Sequence, residues 1–146
     1  MLEFAHQEHI KSYYFDSRNQ TFELPPLTQQ EEADVCVIGA GFFGLSAALE
    51  LAEKGKKVIV LEGARVGFGA SGRSGGQAIN GFEEGIDEYI AQMGFDKAKK
   101  LWDMSLEAID IIDERIAKYG IQCDWKKGYA TLALNERRMD DLIEME

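Results

Sequence analysis

The apolar residues of this chain fall into runs with different periods. Residues 33–39, ADVCVIG, are almost continuously apolar, which is typical of a short strand buried on both faces of a parallel sheet. From Gly41 to Lys54 the apolar positions recur at helical spacing, and Gly55 indicates where that helix ends. A second strand pattern, KKVIVLE, follows at 56–62. The order strand, glycine turn, helix and strand predicts a βαβ unit, and hence an α/β fold.

Beyond residue 80 the pattern becomes mainly helical. Residues 81–94 predict a short helix, and 95–119 predict a long amphipathic helix that ends at Gly120. The apolar face of the long helix is expected to carry Leu101, Met104, Ala108, Ile112 and Ile116. GYATLAL, at 128–134, predicts a third strand, and 135–146 predict the start of another helix with Asn135 as its cap.

Composition and charge narrow the function classes. The chain has 146 residues, a formal net charge of -10 and a pI near 4.7, so no basic surface is expected to bind nucleic acid. The N-terminus lacks the pattern of a secretory signal, and no apolar run is long enough to cross a bilayer. Cys36 lies in an apolar strand pattern and is expected to be a buried, reduced thiol. We therefore expect a cytoplasmic protein.

The turn after the first strand matches the pattern G-x-G-x-x-G. In a dinucleotide site the first glycine allows a tight turn, the second lets the backbone approach a pyrophosphate, and the third lets helix and strand pack closely. The N–H groups at the start of the helix would then face the phosphates. The matching residues are Gly39, Ala40, Gly41, Phe42, Phe43 and Gly44.

The acidic residue that closes the second strand supports this interpretation. Glu62 lies 18 residues after Gly44, where a carboxylate accepts hydrogen bonds from an adenosine ribose and disfavours a 2′-phosphate. The alternatives are a strand–helix turn without any ligand and, for Glu62, a solvated strand end.

A second glycine-rich run follows within residues 63–80, which have no clear period and are expected to form a loop. Small residues would let the backbone pass close to a flat ring system, and the polar side chains offer hydrogen-bond donors. A flexible surface loop is the alternative. The candidate cofactor-binding residues in this run are Gly69, Ala70, Ser71, Gly72, Arg73, Ser74 and Gln77.

Together these motifs resemble a known family. DVCVIGAGFFGLSAALELAEKGKKVIVLE, VGFGASGRSGGQ, SYYFDS and CDWKKGYATLAL are similar to segments of FAD-dependent amine and amino-acid oxidoreductases of the D-amino-acid oxidase type, especially the gamma-glutamylputrescine oxidoreductases. The resemblance implies that the first glycine run holds the FAD pyrophosphate, that Glu62 holds the ribose, and that residues 69–73 lead toward the flavin. Ser74 stands where many relatives have asparagine.

The resemblance also implies an activity and a domain organisation. The parent protein would oxidise a small-molecule amine by hydride transfer to flavin N5, with hydrolysis of the imine to an aldehyde and ammonia, and release of peroxide. Residues 1–32 would be a lead-in, 33–80 the FAD-binding unit, and 81–146 a helical segment with the start of a substrate domain. One βαβ unit is too little for a doubly wound sheet, so we expect a truncated chain that requires further sequence or self-association.

Several alternatives remain open at this stage. An NAD-dependent dehydrogenase fragment would share the first glycine motif but would not explain the second glycine run. A dinucleotide-binding module without turnover would need no catalytic residue, and none is assigned here. His6 and His9 lie close in sequence, but no further ligand is nearby, so no metal site is expected.

Overall fold

The computed structural model describes residues 7–20 and 23–143 of the chain. Its α-helices are α1 (Tyr13–Asp16), α2 (Phe42–Glu53), α3 (Ile86–Met93), α4 (Phe95–Tyr119) and α5 (Met139–Ile143). Two strands, β1 (Val35–Ile38) and β2 (Val58–Leu61), pair in parallel. Short 3₁₀ turns span Ala70–Arg73 and Glu136–Arg138.

The predicted βαβ unit is present. Val35 pairs with Val58 and Ile38 pairs with Leu61, while α2 connects the two strands and packs against both. Helix α2 ends as expected, because Gly55 has a positive φ of 78°, a conformation that glycine adopts without a steric penalty.

The predicted strand at 128–134 is wrong: the structure has no regular secondary structure there. A strand needs a neighbour for its backbone N–H and C=O groups, and the described residues place none beside this segment. Most of its side chains are exposed, with Leu134 at 93%. The following helix is present as a 3₁₀ turn and α5, but the Asn135 side chain makes no capping hydrogen bond. The last predicted helical residues, 144–146, lie outside the described part.

The two predicted helices after residue 80 are present and pack against each other. Gly94 lies between α3 and α4 with a φ of 82°, and Gly120 ends α4 in the left-handed conformation. The predicted apolar face of α4 is only partly covered: Leu101 and Ile116 are half-buried, whereas Met104, Ala108 and Ile112 are exposed.

The core of the described residues is small. Its buried apolar residues are Ala40, Ala48 and Ala98, and no large side chain is fully buried. The expectation that Cys36 is buried is wrong: alternate residues of β1 face α2, while Cys36 and Ile38 point to the opposite, exposed face. No helix of the described part covers that face of the sheet.

Charged side chains join the far end of α2 to α4. Arg115 lies 3.1 Å from a Glu50 carboxylate oxygen, and Lys118 lies 2.6 Å from a Glu53 oxygen that also accepts the Tyr119 hydroxyl. The hydrogen bond from Lys118 is the main cause that lowers the pKa of Glu53, and the one from Lys54 lowers the pKa of Glu50. These ion pairs join the C-terminal part of α2 to the C-terminal part of α4.

Candidate functional site

The first glycine turn has the geometry that its sequence pattern requires. Gly39 has a φ of 99°, and its N–H donates to the Leu61 carbonyl over 2.7 Å, which links the end of β1 to the end of β2. A Cβ atom on Gly44 would lie 2.0 Å from the Gly39 carbonyl oxygen. Only glycine at position 44 therefore allows α2 to start directly against the turn.

The N-terminus of α2 carries backbone donors that the helix cannot satisfy internally. Gly41 is the N-cap residue and has no side chain to cap the helix. The Phe42 N–H donates to the Ser71 hydroxyl over 3.0 Å. Within the described residues, the N–H groups of Phe43 and Gly44 have no hydrogen-bond partner, so they are available to an anion. The side chains of Phe42 and Phe43 are exposed at 64% and 88%.

The second glycine run repeats the geometry of the first. Gly67 has a φ of 70°, and a Cβ atom on Gly72 would lie 2.1 Å from the Gly67 carbonyl oxygen. The Gly67 N–H donates to the Ala40 carbonyl over 2.9 Å, so the two turns are joined directly. Gly67 is not among the site residues predicted from the sequence, although its five-residue spacing to Gly72 equals that of Gly39 to Gly44.

Glu62 links the two turns through backbone N–H groups. One carboxylate oxygen accepts the Ala40 N–H over 2.8 Å, and the other accepts the Ala64 N–H over 3.0 Å. The side chain nevertheless remains exposed. Because each carboxylate oxygen has more than one acceptor position, Glu62 can bind a ribose hydroxyl while it holds both turns.

The remaining candidate residues belong to the same loop but do not all approach the first turn. Gly69 precedes the 3₁₀ turn that begins at Ala70, so part of the predicted loop is regular. The Arg73 guanidinium lies 5.4 Å from the Phe68 ring centre. Among the hydrogen bonds of the described part, none joins the first turn to the side chain of Arg73, Ser74 or Gln77, and all three residues are exposed.

Metal and membrane roles receive no positive evidence from the structure. His9 stacks near Phe15 and Phe68, and His6 lies outside the described residues. No cluster of potential metal ligands occurs in 7–20 and 23–143. In the same part of the chain, no helix is long and apolar enough to cross a membrane.

Comparison with known proteins decides the family. The family model described as DAO, FAD dependent oxidoreductase, matches residues 34–146. The chain belongs to this family. FAD is therefore the cofactor of the family, as the resemblance implied, and the family assignment gives no support to an NAD-dependent dehydrogenase. No solved structure matches the chain significantly.

Two relatives of the chain are also named as oxidoreductases. A probable oxidoreductase OrdL of Haemophilus influenzae is 88% identical over the whole chain, which covers 34% of that protein. The gamma-glutamylputrescine oxidoreductase of Escherichia coli is 44% identical over 95% of this chain and 33% of its own length. The chain thus spans about a third of the length of these two relatives.

The observed donors fit the phosphate part of FAD. The free N–H groups of Phe43 and Gly44 lie at the positive end of α2, where an anion is favoured. A Cβ atom on Gly41 would lie 2.9 Å from the Ser71 hydroxyl oxygen, so a side chain there would enter the space between the two turns. The arrangement thus offers unpaired donors, with no side chain at position 41 between the two turns.

Proposed function

We propose that this chain supplies the adenosine-diphosphate end of the FAD site in an oxidoreductase that acts on a small-molecule amine. The observation that carries the proposal is the hydrogen bond from the Phe42 N–H to the Ser71 hydroxyl. This bond brings the second glycine turn to the N-terminus of α2, where the phosphates of a dinucleotide would bind.

Each group at this junction has a distinct role in phosphate binding. The N–H groups of Phe43 and Gly44 donate to phosphate oxygens. The Ser71 hydroxyl accepts the Phe42 N–H, so its own proton is free to be donated to a further phosphate oxygen. Gly41 leaves the approach open. Hydrogen bonds to a charged acceptor are stronger than neutral ones, which makes these few donors sufficient to orient a pyrophosphate.

Glu62 has two roles in this proposal. Its carboxylate holds the Ala40 and Ala64 N–H groups, which fixes both turns before any ligand binds. The remaining acceptor positions take the ribose hydroxyls of the adenosine. The negative charge of Glu62 would repel a 2′-phosphate, so the site should prefer an unphosphorylated ribose.

Residues on both sides of Ser71 would guide the rest of the cofactor. The run that includes Gly69, Ala70 and Gly72 has little side-chain bulk, and Arg73 and Ser74 add polar groups at its end. FAD, when bound, supplies the two-electron acceptor for amine oxidation. The chain's own contribution is to bind and orient that cofactor, and we assign no acid or base to the described residues.

The substrate class comes from a relative. The Escherichia coli protein is named for gamma-glutamylputrescine, and its identity with this chain is 44%. We propose an amine of that class as the substrate of the protein that carries this chain. As the chain alone spans about a third of its relatives, a second candidate is a dinucleotide-binding module without turnover.

A chimaera separates these candidates. In it, this chain replaces the matching segment of the Haemophilus influenzae relative. We expect the purified chimaera to show the absorption bands of bound oxidised flavin and to release peroxide with a gamma-glutamylated diamine. Bound flavin without amine-dependent turnover, measured by peroxide and by an artificial electron acceptor, would favour the binding module. A colourless protein that does not bind added FAD would contradict the proposed function.

A further inference from the structure

Residues 8–19, here called the N-terminal strap, lie outside the segment that the family model matches. They nevertheless contact residues 63–80, the glycine-rich segment here called the cofactor loop. A Glu8 carboxylate oxygen lies 2.6 Å from the Arg65 guanidinium. The His9 ring centre lies 6.0 Å from that of Phe68. Arg65 and Phe68 flank Gly67, the residue that starts the second glycine turn. The strap thus contacts this turn on both sides of its left-handed glycine.

The middle of the strap is built around Phe15. Ser12 caps α1 by accepting the Phe15 N–H, and the Phe15 ring centre lies 5.1 Å from that of His9. Phe15 and His9 are both half-buried. Together with Ser12 they line a cleft whose opposite wall is formed by Val66, Gly72 and Arg73. The cleft therefore lies between the strap and the residues next to Ser71.

The far end of the strap is fixed at a different place. The Asn19 side-chain amide donates to an Asp124 carboxylate oxygen over 2.9 Å and to the Gln122 carbonyl over 3.3 Å. Asp124 has a positive φ of 53°. Its carboxylate and the Gln122 carbonyl both accept hydrogen bonds from the Asn19 side-chain amide. With contacts at Glu8 and Asn19, the strap is held at both ends.

The turn that the strap contacts is costly to order. Glycine loses more conformational freedom on folding than other residues, and the segment 67–76 contains five glycines at positions 67, 69, 72, 75 and 76. Its main links to the rest of the site are the Gly67 bond to Ala40 and the Ser71 bond to Phe42. A contact that holds this turn before the cofactor binds reduces the ordering cost of binding.

We propose that the N-terminal strap is a positioning element for the cofactor loop, with Phe15 and His9 as its positioning residues. By packing on Val66, Phe68 and Arg73, the strap holds the second glycine turn where the Ser71 hydroxyl meets the N-terminus of α2. The consequence for FAD rests on the proposed function, whereas the effect on the turn does not depend on the cofactor.

The test uses the chimaera with Phe15→Ala, and with Tyr13→Ala as the matched control. Tyr13 lies in the same short helix, is 78% exposed and does not line the cleft. Hydrogen exchange of amides 66–73 without FAD reports the turn, and flavin titration reports affinity. We expect Phe15→Ala to accelerate exchange at 66–73 and to weaken FAD binding by about tenfold. Tyr13→Ala should change neither, and Phe15→Tyr, which keeps the ring, should restore both.

Each result of this experiment has a definite meaning. Faster exchange confined to the strap, residues 8–19, with residues 66–73 unchanged, would overturn the proposal. So would faster exchange at 66–73 with unchanged FAD affinity, because the turn would then not need positioning. If Phe15→Ala lowers the free energy of global unfolding by as much as it lowers that of local opening at 66–73, Phe15 has a merely structural role. This outcome would also count against the proposal. If the parent chimaera binds no FAD, the proposed function fails, and the exchange data alone decide whether the strap holds the turn.

Discussion

The Ser71 hydroxyl oxygen lies 3.0 Å from the Phe42 backbone nitrogen and accepts its hydrogen bond, although 29 positions separate the two residues in the chain. The helix has no cap of its own, because Gly41 carries no side chain. Ser71, in the second glycine turn, therefore caps the N-terminus of α2 in place of the N-cap side chain. The stability of the helix start and the position of the loop are coupled through this one bond.

Replacement of Ser71 by Ala should uncouple them. We expect Ser71→Ala to destabilise the chimaera by about 1 kcal/mol, the usual loss for a capping hydroxyl, and to weaken FAD binding as well. Ser46→Ala, at an exposed position of α2, is the control and should change neither quantity measurably. Urea unfolding and flavin titration measure the two effects, and equal FAD affinity in parent and Ser71→Ala would refute the role of the hydroxyl.

The second prediction concerns Gly44 and Gly72, where an added Cβ atom would lie very close to a backbone carbonyl oxygen. Gly44→Ala and Gly72→Ala would each place a Cβ atom about 2 Å from a backbone carbonyl oxygen, at Gly39 and Gly67 respectively. Backbone must shift in both cases, so we expect a loss of about 1–3 kcal/mol in the free energy of unfolding of the chimaera. Gly85→Ala, which meets no atom within 4 Å and has a negative φ, should cost about 0.5 kcal/mol or less. Similar losses in all three variants would show that the close approach is not real.

The elements that depend mainly on local chemistry were predicted correctly from the sequence. The βαβ unit, the end of α2 at Gly55 and the end of α4 at Gly120 all follow from apolar periodicity and from glycine's freedom at positive φ. The tight turn and close packing at Gly39 and Gly44 follow from the same chemistry. Apart from the pairing of β1 with β2, these features depend on residues within a few positions of one another.

Features that depend on distant partners were not predictable. Residues 128–134 have a strand-like pattern, but a pattern cannot supply the neighbouring strand that a β-ladder requires. Cys36 lies in an apolar run, yet its burial depends on whether another element packs on that face. The contacts of Glu8 with Arg65 and of Asn19 with Asp124 join residues far apart in sequence, and no local signal marks them.

Glu62 offers a third prediction, because its proposed role in ribose binding can be separated from its role in holding the two turns. Glu62→Ala should weaken FAD binding by about 1–3 kcal/mol through lost charge-assisted hydrogen bonds. It should also release the Ala40 and Ala64 N–H groups, which hydrogen exchange without cofactor detects at those two amides. Glu83→Ala, at an exposed position before α3, serves as the control. Unchanged FAD affinity in Glu62→Ala, together with faster exchange, would leave Glu62 with a structural role alone.

Acid should loosen the junction between α2 and α4. The Lys118 hydrogen bond holds the pKa of the Glu53 carboxyl below its ordinary value of 4.5. A lowered folded-state pKa means that the pair stabilises the fold above about pH 4.5 and that this contribution is lost as the pH falls through the folded-state value. We expect Glu53→Gln to reduce the acid-induced loss of thermal stability of the chimaera between about pH 6 and about pH 3. An identical pH profile in parent and variant would contradict this assignment.

The exposed face of β1 turns Cys36 into a chemical reporter. Its thiol points away from α2, next to the exposed Ile38, so an alkylating reagent can reach it in the described chain. Any segment or second protein that packs on this face must slow that reaction, whereas Cys123, exposed elsewhere, provides an internal reference for reagent reactivity. The ratio of the two alkylation rates would therefore report how far this face of the sheet is covered, without crystals or an activity assay, and would follow its assembly over time.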